Sequence, residues 1–140
     1  MIILIIFRNI MAMSESKIWA EPLPERCPPS EAFPPDGSSF YRIVNSFPPT
    51  PSDFYSKRKL YPLAIFNANE CIARAISVYK SYEACYTITK LPKYKSKTNF
   101  VVSINLPPSS GVVMQTFNDK NHYSWWCTAN FNPIQQCQKM

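Results

Sequence analysis

The chain reads as an α+β fold: a mainly antiparallel sheet with about two helices, preceded by an extended, proline-rich N-terminal leader. Three observations predict this. Aromatic and β-branched runs recur between turn signals across residues 40–127, helix caps stand before two of the intervening segments, and nine of the fourteen prolines fall between Glu21 and Pro51. A chain of 140 residues has the usual size of one domain. With 46% hydrophobic and 14% aromatic residues it has the apolar supply for a core that a disordered chain lacks.

The leader is assigned to residues 1–37 and the α+β domain to residues 38–140. Its opening MIILIIF is a seven-residue apolar run. That is well short of the ~20 residues a membrane span requires. Arg8 follows the run instead of preceding it, unlike an export signal, so a cytoplasmic protein without membrane association is expected. Met13 begins an ordinary polar start, MSESK, so residues 1–12 read as lying upstream of the functional beginning. The runs PLPERCPP and FPPDG favour polyproline II and cannot form a central strand. A linker lying over the domain outweighs a polyproline ligand for an aromatic groove.

The first strand is placed at residues 40–44, FYRIV, after the Asp36-Gly37 turn. Phe47-Pro48-Pro49 ends it, and Thr50-Pro51-Ser52-Asp53 then supplies a cap, an early proline and an early acid for a helix reaching Leu60. Tyr61-Pro62 stops that helix, because the residue before proline is pushed out of the α region. Residues 75–79 form a second strand, and Ser81 caps a second helix through Ala84, Cys85 and Ile88. The two helices are expected on one side of the sheet. Residues 99–106, 112–117 and 122–127 are then expected to make a three-stranded meander, with Ser109-Ser110-Gly111 as a hairpin turn.

Charge and cysteine usage bound the function classes. From residue 37 onward twelve Lys and Arg face only Asp53, Glu70, Glu83 and Asp119, so an anionic partner is expected: nucleotide, nucleic acid or acidic protein. The five cysteines are odd in number and widely spaced, which reads as reduced thiols, and His122 is the single histidine, so no metal site is expected. With two glycines in the chain, phosphate loops and dinucleotide-binding turns are nearly excluded.

Two sets of residues carry possible chemistry. Arg42 is a charge inside an apolar strand; it either pairs with Asp53 or Glu70 or grips a ligand phosphate, with Ser77 in ISVY as its companion. His122 opens HYSWW and is either a satisfied structural ring or an acid, base or donor toward a ligand, with Tyr123 beside it. Alternation puts Tyr123 and Trp125 on one face, and His122, Ser124 and Trp126 on the other. The second set is Lys90, Lys93, Lys95 and Lys97 with Tyr94 and Trp126, a phosphate-tracking segment with stacking rings, weighed against a solvated loop.

The succession FYRIV, PPTPSDF, ISVYKS and HYSWW resembles blocks shared by small uncharacterised bacterial domains. More distantly, an arginine on the first strand, then a strand bearing serine and a helix, is similar to the plan of ADP-ribosyltransferase-like domains, including small toxins that consume NAD. That resemblance implies NAD as the ligand. It gives Arg42 the dinucleotide phosphate, Ser77 the ordering of the site, and His122 with Tyr123 the reacting end. The late glutamate of that plan is missing, since Asp119 is the sole acid after Glu83; Glu70 or His122 would have to take its role.

Overall fold

The computed structural model describes residues 18–140; the apolar opening and the Met13 start lie outside the described residues. One six-stranded, wholly antiparallel sheet organises them, in the order β4-β5-β2-β1-β3-β6. Its strands are β1 (Ser39–Val44), β2 (Ile76–Tyr79), β3 (Phe100–Asn105), β4 (Gly111–Gln115), β5 (His122–Cys127) and β6 (Cys137–Lys139). Five short α-helices accompany it: α1 (Lys57–Leu60), α2 (Glu70–Ala73), α3 (Tyr82–Ile88), α4 (Pro92–Lys95) and α5 (Pro133–Gln136). The α+β class holds, with sheet dominating and more helices than the two expected.

The expected first helix is divided. Asp53 folds its carboxylate back to accept from the Thr50 and Asn45 amides, which closes a 3-10 turn at Pro51–Phe54. Ser56 then starts α1 afresh by accepting from the Lys59 amide. α3 begins where expected, with the Ser81 hydroxyl accepting from the Ala84 amide. It packs on β1, β2 and β3, with Cys85 fully buried beneath it. The helices do not share one side. Phe54 and Ile134 of α5 pack on the opposite face, against the core of Phe40, Val44, Val102, Ile104, Val78 and Trp125.

The meander is also corrected. β4 and β5 form a hairpin, but β3 lies at the far side of β1, so residues 106–110 cross the sheet instead of turning a hairpin. Gly111 permits that crossover. Its φ is +133°, and a Cβ there would stand 1.9 Å from the Trp126 carbonyl oxygen.

The proline-rich segment lies along the edge strand β4 and the end of β5. The Ala20 amide donates to the Cys127 carbonyl, Phe33 pairs with Val113 on β4, and the Glu21 carboxylate accepts from the Ser56 amide at 2.9 Å. Cys27 is joined to Cys71 of α2 by a disulfide, with the Cα atoms 5.5 Å apart. The expectation of reduced thiols throughout is therefore overturned. Spacing concealed the pair because the chain returns over 44 residues to close it. Cys85, Cys127 and Cys137 remain thiols. Among the described residues no helix is long and apolar enough to cross a membrane, and no three His, Cys, Asp or Glu side chains are grouped to hold a metal.

Candidate functional site

Residues from three strands distant in sequence meet at the centre of the sheet. β1 pairs with β3 over six positions but with β2 at one, Tyr41 opposite Tyr79. Arg42 bridges the parting strands. Its Nη1 donates to the Ser77 carbonyl at 2.7 Å and its Nε to the Asp53 carbonyl at 2.9 Å, with the guanidinium 5.7 Å from the Phe54 ring centre. Desolvation draws its pKa below the ordinary arginine range, opposed by Tyr94, Asp53 and other neighbours. The acid expected to pair with Arg42 does not do so through its carboxylate: that of Asp53 is taken by Asn45, Ser46 and Thr50. Glu70 is held by Arg58 at 2.8 Å and Arg74 at 3.1 Å.

A separate network starts at the Ser77 hydroxyl, on the face of the sheet opposite the Arg42 side chain. His122 Nε2 lies 3.0 Å from Ser77 Oγ, and Nδ1 lies 2.9 Å from Thr116 Oγ1, which in turn lies 2.9 Å from Ser124 Oγ. Neighbouring hydroxyls that can each donate or accept accommodate either neutral tautomer of the ring. Burial lowers the His122 pKa; Asp119 and a Thr116 backbone bond oppose that, and Lys57 adds to it. Tyr79 packs edge-on at 5.3 Å between ring centres, and Phe117 at 5.0 Å. Phe117 is 62% exposed and holds φ +60°, a left-handed conformation costly for a bulky residue.

Tyr123 does not join this network. It follows His122 on the strand, so it points to the other face, where it meets Phe40 at 5.5 Å between ring centres. Trp126 shares the His122 face but is 1% exposed and donates its Nε1 to the Cys71 carbonyl, so it offers no surface ring for a base. Lys90, Lys93, Lys95 and Lys97 are exposed, the middle two on α4, with Lys90 against Tyr86 and Lys93 against Tyr94. Desolvation and then the like charge of Lys93 lower the Lys57 pKa, so the basic helix stands beside the cation that acts on His122. Thr116 and Lys57 were missed by sequence reasoning: a threonine at a strand end and one lysine among many carry no signal until the chain brings them together.

A cavity of about 370 Å³ opens elsewhere, walled by the leader at Trp19 and Leu23 and by Phe54, Ile76, Trp126 and Phe131. Arg42, Ser77 and His122 do not line it. No family model, curated protein or solved structure matches the chain.

Proposed function

We propose that the domain acts on a nicotinamide dinucleotide, on the plan of ADP-ribosyltransferase-like domains, at the surface above Ser77 and His122. The observation that carries this reading is the adjacency of β1, β2 and β5, which sets Arg42 on the Ser77 carbonyl and His122 on the Ser77 hydroxyl. Lys57 and Lys93 supply positive charge toward the phosphates, and Tyr79 supplies a ring beside the neutral His122. In this reading Arg42 holds the seam through two carbonyls, Ser77 orients the imidazole, and the Phe117 turn moves aside to admit the ligand. The bond between nicotinamide and ribose breaks, nicotinamide leaves with the electron pair, and an acceptor hydroxyl adds to the ribose as it releases its proton to His122. A toxin role follows from the same resemblance.

Calorimetric titration of the full chain with NAD, with nicotinamide release followed by chromatography, tests the reading. Saturable binding and release are expected, both lost in His122→Gln that retains the wild-type circular dichroism. A folded wild type that neither binds nor cleaves NAD ends it.

A second reading has its own support in the four exposed lysines, of which Lys93 lies close enough to Lys57 to act on its charge: binding of single-stranded nucleic acid along α4. Gel-shift titrations at two salt concentrations test it. Binding must weaken steeply with salt, and no shift at low salt rejects it.

A further inference from the structure

We propose that the leader-walled cavity is a binding site for a small amphipathic anion, one with an apolar body and a carboxylate or phosphate head. The volume of about 370 Å³ lies within the range of small-molecule sites, ~300–1,000 Å³. Its walls are aromatic and aliphatic: Trp19, Leu23, Phe54, Ile76, Trp126 and Phe131. The second observation is a neighbouring hollow of about 340 Å³ that shares Glu21, Lys59 and Arg74 with the first and is otherwise lined by Pro22, Arg58 and Pro62. The apolar chamber therefore opens beside a polar vestibule.

The vestibule favours a negative head group. Arg58, Lys59 and Arg74 bring three positive charges there. One carboxylate, Glu70, is shared between Arg58 and Arg74. The other, Glu21, is engaged by Ser56, its Oε1 accepting from Ser56 Oγ at 2.5 Å and its Oε2 from the Ser56 amide at 2.9 Å. Lys59 makes a ring contact, its ammonium 4.0 Å from the Tyr55 ring centre. A carboxylate entering beside Lys59 and Arg74 supplies the missing negative charge while its chain fills the apolar chamber. The leader wall is held in place by the Cys27–Cys71 disulfide and by Arg74, whose Nη1 donates to the Pro22 carbonyl at 2.9 Å.

The test titrates the full chain with decanoate carrying bromine on its terminal carbon, and with the matching bromodecanol. Bromine quenches tryptophan on contact, and two of the three tryptophans, Trp19 and Trp126, line the chamber. Saturable quenching at one equivalent is expected, with the acid binding roughly fivefold or more tightly than the alcohol, as one partly exposed charge contact provides. Lys59→Gln should remove most of that preference and leave the alcohol unaffected. Ala129→Trp, at an exposed position on the rim, should block both ligands while preserving the fold by circular dichroism. Absent or non-saturable quenching overturns the site. Unaltered decanoate affinity in folded Ala129→Trp overturns its location, and equal affinity for acid and alcohol overturns the anionic head.

Discussion

The seam between β1 and β2 and the leader-walled cavity are both places where regular sheet pairing gives out, and the protein closes them by opposite means. At the seam, polar groups satisfy one another: Arg42 donates to two carbonyls, and Ser77, His122, Thr116 and Ser124 form a continuous chain. At the cavity an apolar hollow is walled by a segment tied down from a distance, through a disulfide and a few hydrogen bonds. A self-satisfied network is rigid and leaves few donors for a ligand unless something moves. A strapped wall leaves space. Damage to one region should therefore spare the other.

The largest effect belongs to the strap. Replacing Cys27 and Cys71 together by serine releases a loop closed over 44 residues. Chain entropy puts the cost at about 4 kcal/mol and the fall in melting temperature near ~10–15 °C. The quenching of Trp19 by bromodecanoate should weaken in the same variant, while the pH response of His122 should persist. A melt within a degree or two of wild type would show that the hydrogen bonds alone hold the leader. Next comes Arg42→Ala, which removes the donor to the Ser77 and Asp53 carbonyls and opens the seam. A loss of about 3 kcal/mol in urea unfolding is expected, since two inward-facing acceptors go unpaired in packed surroundings. The cavity should still bind the brominated acid. Unchanged stability would mean that water replaces the guanidinium at no cost.

Legibility in the sequence followed the range of the interaction. β1, β2, β3 and β5 stand within a residue or two of the runs that marked them, and Ser81 caps α3 as its spacing indicated. Local pattern sufficed there. β6 was invisible because CQK has no strand character of its own and pairs only where β3 offers its edge. α1 separated from the Pro51–Phe54 turn because Ser56, within the span expected to be one helix, supplies a second cap. At the site, Arg42 was conspicuous as a charge in an apolar strand, but its acceptors are backbone carbonyls 35 and 11 residues away, which no side-chain pattern records. Tyr123 drew notice by adjacency to His122, although alternation along a strand sends neighbours to opposite faces.

A smaller effect isolates the far end of the network. Thr116→Val keeps the shape of the side chain but removes the hydroxyl that stands between His122 Nδ1 and Ser124 Oγ. A buried ring nitrogen left unpaired should cost about 2 kcal/mol, with no change at the cavity. If stability holds, the imidazole finds another partner and the network is looser than its distances indicate.

The smallest effect is the pH response of the seam, and its sign follows from burial. His122 is the single histidine of the chain, and desolvation holds its pKa below the ordinary 6.5, with Asp119 opposing and Lys57 assisting. The folded protein therefore prefers the neutral ring, while the unfolded chain takes up a proton as the pH falls through the ordinary histidine range. The resulting stability is fully present above that range and is lost progressively below it, until the folded ring also protonates. Carboxylates do not confuse the window. Glu70, lowered mainly by its hydrogen bond from Arg58, and Asp36, lowered mainly by Ser38, lose their contributions only at more acidic pH. Urea unfolding at several values between about pH 7.5 and about pH 5.5 should show wild-type stability declining toward the acid end. In His122→Gln, with no imidazole to titrate, the decline should vanish, while the disulfide-free variant should keep it. A decline of equal slope in His122→Gln would remove His122 as its source and, with it, the picture of a neutral imidazole locked into the seam.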